Sequence, residues 1–219
     1  MAQLPPAAEV RVAVGAAELV GNLRLPPGAE SIVVFAHGSG SSRHSPRNRY
    51  VADVLSSAGF ANFLVDLLTP EEEAIDRETA QLRFNIELLA ERLGHVTDWL
   101  ASKPETLALT IGYFGASTGA AAALIAAADR DQTVRAVVSR GGRPDLAMPV
   151  LPRVRQPTLL IVGGRDEVVI DLNRRALEQI GGIKRLVIVP GATHLFEEPG
   201  ALDQVAEHAS EWFRQHLAP

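Results

Sequence analysis

Apolar runs alternate with stretches of helical spacing along most of this chain. The first segment, EVRVAVGAAELVGNLRLP, alternates polar and apolar positions on both sides of Gly15, which predicts two paired strands joined by a turn. Short apolar runs rich in β-branched residues follow and predict buried strands. In chain order they are SIVVFAHG, ANFLVDLL, LALTIGYF, VRAVVSRGG, PTLLIVGG and KRLVIVPG.

The segments between these runs have the spacing of amphipathic helices. One helix is predicted to begin at Pro46 and to end before Gly59. A longer helix is predicted from about Asp76 to Ser102, where Pro104 stops it. The remaining helical segments are STGAAAALIAAAD, VIDLNRRALEQI and ALDQVAEHASEWFRQHL. This alternation predicts a mostly parallel sheet with helices on both faces and the N-terminal hairpin as an antiparallel edge.

Nothing in the pattern indicates a second domain. The chain has no internal repeat, no low-complexity linker and no block of like charge. A cap domain would need a long insertion, yet the connection from Gly141 to Gln156 is short and Pro-rich. We therefore expect residues 1–219 to form a single α/β domain with little or no cap domain.

The charge and the lengths of the apolar runs limit the kinds of partner that this protein is expected to bind. The formal net charge is −5, from 21 basic and 26 acidic residues, whereas a nucleic-acid-binding protein is usually basic. The longest apolar run, AAAALIAAA, has nine residues, and about 20 are needed to span a bilayer. The N-terminus has no basic region followed by an apolar stretch, so no secretory signal is expected. The sequence thus predicts a cytoplasmic protein that binds neither nucleic acid nor membrane.

The chain contains no cysteine. Disulfides, thiolate metal sites and a cysteine nucleophile are therefore excluded. The side chains available for covalent chemistry are hydroxyls, carboxylates, amines and imidazoles.

Polar residues of complementary chemistry follow four of the predicted strands. His37-Gly38-Ser39-Gly40, named the glycine loop below, follows SIVVFA, and Ser117 follows LALTIGYF within GASTG. Asp166 follows PTLLIVGG, and His194 follows KRLVIVPGAT. Ligands of open α/β sheets bind outside the carboxyl ends of the strands, so these residues are expected at one edge of the sheet.

These residue types are the ones that an activated serine needs. His194 can take the proton of the Ser117 hydroxyl, and Asp166 can hold the imidazole in the required tautomer. An oxyanion formed at the attacked carbonyl would need preorganised donors. We expect these donors to be the backbone N–H of Thr118 and a group of the glycine loop, with Ser39 favoured. Glycines flank Ser117 because a tight strand-to-helix bend leaves no room for larger side chains.

The motifs GASTG, GGRDEVV and GATHLF, with the His37-Gly38 pair, resemble the α/β-hydrolase superfamily and, within it, the small dienelactone hydrolase-like serine hydrolases. The resemblance extends from about residue 10 to the C-terminus. It implies an α/β-hydrolase fold, a small-molecule ester or lactone substrate, and cleavage of an ester, lactone or thioester through an acyl-enzyme. It implies no metal and no organic cofactor. True dienelactone hydrolases use cysteine where this chain has Ser117, so dienelactone is not carried over as substrate.

Several alternatives stay open at this level. Ser117 or Asp166 could serve only as a helix N-cap, and Glu167 or, less strongly, Asp171 could replace Asp166 as the acid. The same triad could pass the acyl group to an acceptor other than water, which would make the protein an acyltransferase. The fold could also bind a ligand without catalysis. The natural substrate and the oligomeric state are not encoded in a readable motif.

Basic residues gather near the predicted site although the protein is acidic. They are Arg43, Arg47, Arg49, Arg140 and Arg143. Arginines beside a helix N-terminus attract carboxylate or phosphate, so Arg43, Arg47 and Arg140 are candidates for binding a substrate anion. The alternative is a solvated loop over residues 41–50. His37 is expected to shape the glycine loop next to the substrate and not to titrate in catalysis.

Overall fold

Eight strands form one sheet in residues 4–217, the part of the chain that the computed structural model describes. The strands are β1 (Ala8–Val14), β2 (Ala17–Arg24), β3 (Ser31–Ala36), β4 (Ala61–Val65), β5 (Thr110–Ala116), β6 (Val134–Arg140), β7 (Thr158–Gly163) and β8 (Lys184–Val189). The α-helices are α1 (Pro46–Ser57), α2 (Pro70–Thr79), α3 (Ile86–Ser102), α4 (Thr118–Ala128), α5 (Glu167–Gln179) and α6 (Ala201–His216). A 3₁₀ helix covers Pro144–Arg153.

The strand order is β1-β2-β4-β3-β5-β6-β7-β8. β1 pairs antiparallel with β2, and β2 pairs antiparallel with β4, while all other neighbours are parallel. The hairpin turn contains Gly15 at φ 58, a left-handed conformation that favours glycine. The predicted α/β-hydrolase fold, mostly parallel with an antiparallel N-terminal hairpin, is confirmed.

Two apolar cores lie on the two faces of the sheet. Helices α1 and α6 cover one face, and α3, α4 and α5 cover the other. Every residue of β3, β4 and β7 is buried, as expected for strands that are covered on both sides. The alanines of α4 are almost all buried, and their small side chains let this helix lie close to the sheet.

The predicted long helix over Asp76–Ser102 is wrong: two helices, α2 and α3, replace it. Thr69 and Glu72 form a reciprocal capping box that begins α2 before Asp76. Ala80 then takes a left-handed φ of 54 and ends the helix. Asn85 caps α3 by accepting a hydrogen bond from the Leu88 N–H at 3.2 Å. The local capping groups outweigh the continuous helical spacing on which the prediction rested.

The turn between α2 and α3 is tied down by one buried carboxylate. Asp76 accepts hydrogen bonds from the backbone N–H groups of Leu82 at 2.7 Å and Arg83 at 3.0 Å, and from Arg83 Nε at 2.6 Å. Burial alone would raise the pKa of Asp76, but these donors together lower its pKa below the usual value. The charged form of Asp76 is therefore the one that stabilises the fold.

The connection between β6 and β7 holds no inserted domain. Its 3₁₀ helix packs against α4 and α5, so the edge of the sheet above Ser117 carries little or no cap, as predicted. Within residues 4–217, no helix is both long enough and apolar enough to cross a membrane.

We predict that Asp76→Asn lowers the free energy of unfolding at pH 7 by about 3 kcal/mol, the lower end of the range for breaking a buried ion pair. The native pKa of Asp76 lies below the unfolded value, so its contribution is present at neutral pH and is lost as pH falls through the native pKa. Urea unfolding at pH 7 and pH 3 should show that the gap between variant and wild type narrows in acid. An equal gap at both pH values would contradict this assignment.

Candidate active site

The carboxyl ends of β3, β5, β7 and β8 deliver the predicted site residues to one edge of the sheet. The glycine loop leaves β3 directly beside Ser117, since a Cβ built on Gly38 would lie 3.1 Å from Ser117 Cβ. Asp166 follows β7, and His194 lies in the loop after β8. Parallel pairing therefore brings together residues that are far apart in the sequence.

Ser117 occupies a strained turn between β5 and α4. Its backbone has φ 50 and ψ −120, a conformation that non-glycine residues rarely adopt. Such strain is typical of a nucleophile presented between a strand and a helix. Ser117 stands at the N-cap position of α4, yet its side chain makes no capping hydrogen bond. The Ser117 hydroxyl therefore does not serve as the side-chain N-cap of α4.

Glycines around Ser117 permit close backbone contacts. A Cβ at Gly115 would lie 2.4 Å from Ala120 Cα, and a Cβ at Gly119 would lie 2.3 Å from the Ala36 carbonyl oxygen. Real Cβ atoms do not approach backbone so closely. The tight bend that the GASTG motif predicts therefore has a steric basis at both flanking glycines.

Asp166 and His194 form the central hydrogen bond of the site. The distance from Asp166 Oδ2 to His194 Nδ1 is 2.6 Å. Asp166 lies at the N-cap position of α5 without making a side-chain capping bond, so its carboxylate is directed to the imidazole instead. Glu167 is exposed, and Asp171 pairs with Arg174 at 3.3 Å. The geometry favours Asp166 over both alternatives.

Ser117 and His194 both lie against the residues that follow β6. The Ser117 N–H donates to the Arg140 carbonyl oxygen at 3.2 Å, and a Cβ at Gly141 would lie 3.4 Å from His194 Cε1. Within residues 4–217, no direct hydrogen bond joins Ser117 Oγ to His194. Catalytic hydrogen bonds are often long before substrate binds, so this geometry is compatible with a serine-histidine pair.

Comparison with known proteins identifies the family. The model of the dienelactone hydrolase family matches residues 20–217. The chain belongs to the dienelactone hydrolase family. The crystal structure of a dienelactone hydrolase from Anabaena variabilis is 62% identical, with a TM-score of 0.97 over 99% of this chain and 100% of that one.

More distant structures share the fold of this family member. Est1E from Butyrivibrio proteoclasticus is 15% identical, with a TM-score of 0.80 over 96% of this chain and 98% of its own. A dienelactone hydrolase-like promiscuous phosphotriesterase from metagenomic libraries is 18% identical, with a TM-score of 0.79 over 97% of this chain and 98% of its own. These two likenesses show the shared fold alone. The predicted ester-acting hydrolase is supported by membership of the dienelactone hydrolase family.

Two curated relatives come from two strains of Mycobacterium tuberculosis. Each is 63% identical over 209 residues and is provisionally named a phosphoribosyl transferase. The match covers 95% of this chain but 46% of each relative. The chain thus spans about half the length of these proteins.

In this family member, the glycine loop is held by Thr118 and by its own histidine. The Ser39 N–H donates to Thr118 Oγ1 at 3.0 Å, and the two hydroxyl oxygens are 2.9 Å apart. His37 Nε2 accepts the Leu67 N–H at 3.1 Å, which places the ring proton on Nδ1, 3.0 Å from the Gly38 carbonyl oxygen. Both ring nitrogens of His37 are thereby used to shape the loop.

A cavity of about 280 Å³ lies beside the glycine loop. Residues 37–41 and Thr118 line one side, and Asp76 and Arg83 contribute to the other. The break between α2 and α3, which the sequence prediction missed, therefore supplies part of the cavity wall. The capping box at Thr69 is the sequence signal that could have revealed it.

The predicted arginines differ in their partners. Arg43 pairs with Asp66 at 2.8 Å and Glu9 at 2.9 Å. Arg143 forms two 2.8 Å bonds with Asp145, and Arg47 pairs with Glu197 at 3.1 Å. The carboxylate partners of Arg43 lie in other elements, so the sequence pattern did not reveal them.

Arg140 is the exception in this set. The residue is 8% exposed, and among residues 4–217 its side chain makes one hydrogen bond, from Nη2 to Asn48 Oδ1 at 3.4 Å. Burial, followed by repulsion from Arg47, lowers the pKa of Arg140 to about 10. Within residues 4–217, no group of three or more metal-ligating side chains is placed to hold a metal ion.

We predict that Gly119→Ala lowers the free energy of unfolding by about 3 kcal/mol, the upper end of the usual cost of overpacking. The new methyl group would collide with the backbone oxygens of Ala36 and His37, and backbone cannot move aside as a flexible side chain can. Gly15→Ala is the matched control, because it meets nothing within 4 Å and carries only left-handed strain of about 1–2 kcal/mol. Urea unfolding that ranks the two variants equally would refute the steric argument.

Proposed function

We propose that this chain hydrolyses a carboxylic ester, lactone or thioester through an acyl-enzyme. The observation that carries the proposal is the 2.6 Å hydrogen bond between Asp166 and His194, beside a strained serine whose hydroxyl makes no capping bond. The placement of Asp166 at an N-cap position is otherwise unexplained, because its carboxylate does not cap α5.

In the first step, Ser117 Oγ attacks the carbonyl carbon while His194 Nε2 takes the hydroxyl proton. Asp166 holds the Nδ1–H of His194 and stabilises the imidazolium. The tetrahedral intermediate collapses with cleavage of the C–O or C–S bond, and the alcohol or thiol takes the proton from His194. It departs from an ester or thioester and stays attached to the acyl group of a lactone, while the acyl group remains on Ser117. Water then attacks with His194 again as base, which releases the carboxylic acid and restores the serine.

The oxyanion is assigned to the backbone N–H groups of Thr118 and Ser39. Thr118 begins α4, so its N–H also benefits from the positive end of the helix. The Ser39 N–H donates to Thr118 Oγ1 in this structure, and rotation of the Thr118 side chain would release it for substrate. Ser39 and Thr118 both line the cavity beside the glycine loop, whereas Ser117 and His194 are not among its lining residues.

The transferase name of the mycobacterial relatives does not change this proposal. Those proteins are about twice as long as the match, and the matched half coincides with the dienelactone hydrolase family. We infer that their name describes the remaining part. Whether an acceptor other than water takes the acyl group is decided by the ratio of products when an alcohol is added.

We predict that Ser117→Ala lowers kcat by at least about 10⁴-fold, in the range known for loss of a serine nucleophile in other hydrolases. The variant should keep the wild-type circular dichroism spectrum, and its melting temperature should lie within a few degrees of the wild-type value. The hydroxyl that is removed is small and makes no capping hydrogen bond to α4. Hydrolysis of 4-nitrophenyl acetate provides the measurement. Retention of more than a tenth of wild-type kcat would exclude Ser117 as nucleophile.

We predict that Asp166→Asn lowers kcat by about 10³–10⁴-fold, because an amide favours the wrong imidazole tautomer. The matched control is the adjacent Glu167→Gln, which removes an exposed carboxylate and should leave kcat within about twofold. The reverse ranking of the two variants would move the acid role to Glu167.

A further inference from the structure

Asn173 is a fully buried amide in the middle of α5, with an exposed fraction of 0%. Its Nδ2 donates to the Val169 carbonyl oxygen of the same helix at 2.8 Å and to the Gly142 carbonyl oxygen at 3.0 Å. Carbonyl oxygens only accept hydrogen bonds, so the atom that lies between these two must be the amide nitrogen. Asn173 therefore ties α5 to the backbone that follows β6.

The bond to Gly142 is the distinctive contribution of this side chain. Asparagine is a weak helix former, and Asn173 Oδ1 is buried without a hydrogen-bond partner among residues 4–217. Leaving a buried acceptor unpaired is unfavourable. Val169 lies four residues earlier in α5, so its carbonyl oxygen is already in the position that accepts a backbone N–H of the helix. What Asn173 adds to the fold is therefore its bond to Gly142.

The 141–143 segment lies against both the proposed nucleophile and the proposed base. The Arg143 N–H donates to the Ser117 carbonyl oxygen at 3.1 Å. A Cβ built on Gly141 would lie 3.2 Å from the His194 carbonyl oxygen and 3.4 Å from His194 Cε1. The two neighbours of Gly142 thus contact one member each of the serine-histidine pair.

Three elements confine Gly142. A Cβ built on it would lie 2.0 Å from Ser139 Oγ of β6 and 2.7 Å from Ala120 Cβ of α4. Asn173 holds its carbonyl oxygen from α5. Asp166 stands at the N-cap position of the same helix, about two turns before Asn173. One helix therefore carries the acid of the site and fixes the backbone beside its other two members.

We propose that Asn173 is a positioning residue for the Ser117–His194 pair. By holding the 141–143 segment, it fixes the distance over which a proton passes as the Ser117 O–H bond breaks and a bond to His194 Nε2 forms. Asn173 touches neither group and exchanges no proton. The inference rests on the proposed function, which assigns this transfer. Misplacement of reacting groups by about 1 Å can slow a reaction about 100-fold, so a small shift of the segment should reduce kcat.

Two variants at this position test the role. Asn173→Leu removes both side-chain bonds. Asn173→Thr keeps the one inside α5, because a helical threonine can donate to the carbonyl four residues earlier, as Thr97 does to Leu93 at 2.9 Å. Both should lower kcat for 4-nitrophenyl acetate roughly 10- to 100-fold, with KM within about twofold of wild type. The matched control is Asn62→Leu, which removes a buried amide that donates to the Ala52 carbonyl oxygen at 3.1 Å near the amino end of β4, and it should keep kcat within about twofold.

Several results would overturn the proposal. They are a wild-type kcat in Asn173→Thr, a raised KM with unchanged kcat, and an equal loss of kcat in Asn62→Leu. If Asn173→Leu shows no cooperative thermal unfolding, Asn173→Thr alone decides. Failure of both variants to fold would assign Asn173 to the stability of the fold and would also count against the positioning role.

Amide hydrogen exchange tests the same role without catalysis. In peptides that contain residues 141–146, the Arg143 N–H should exchange at least about fivefold faster in Asn173→Thr than in wild type, the effect expected for one hydrogen bond. Asn62→Leu should leave this exchange unchanged. Equal exchange in Asn173→Thr and wild type would contradict the proposal. If wild type hydrolyses no ester, the proposed function fails, and the exchange rate alone decides whether Asn173 holds the segment.

Discussion

The close approach of α4 to the ends of β3 and β5 is the constraint on which the site depends. Gly115 and Gly119 have no Cβ, which allows backbone contacts that a side chain at either position would block. The small side chains of the α4 alanines let the rest of the helix lie equally close to the sheet. Ser117 lies between these two contacts, so the chain must turn through a left-handed φ at a residue that has a side chain. The surrounding packing maintains this strained backbone, which places the half-buried Ser117 side chain beside the glycine loop.

Hydrogen-bond partners separate the structural polar residues from the candidate functional ones. Ser45, Thr69 and Asn85 each cap a helix with the side chain, as residues at that position usually do. Ser117 and Asp166 occupy the same position in α4 and α5 but make no capping bond. The same contrast distinguishes the arginines: Arg43, Arg47 and Arg143 pair with carboxylates, whereas Arg140 is buried and has no carboxylate partner in the part of the chain that the structure describes. In this protein, a polar side chain at an N-cap position that makes no capping hydrogen bond is the best structural indication of a candidate catalytic residue.

Much of this arrangement could be predicted because it depends on local signals. An apolar run followed by glycine and a reactive residue places Ser117, Asp166 and His194 at strand ends, and parallel pairing then gathers them. The break at residues 80–85 was missed because helical spacing continues across it, while Asp76 holds the turn through a buried carboxylate.

Contacts between distant segments could not be predicted from one sequence. Arg43 pairs with Asp66 and Glu9, and Arg47 pairs with Glu197, which lies 150 residues away. No spacing rule links such positions, because their proximity follows from the order of strands in the sheet. The carboxylate partners of Arg43, Arg47 and Arg143 could therefore be identified only from the contacts in the structure.

The central claim, that Ser117 is the activated nucleophile, is tested most directly by covalent labelling. A fluorophosphonate reacts with a serine whose hydroxyl is activated by a neighbouring base, and intact-mass measurement followed by peptide mapping locates the adduct. The account predicts one adduct per chain, on Ser117, formed in step with the loss of esterase activity. An adduct on another serine that tracks inactivation, or full hydrolysis without labelling of Ser117, would contradict it.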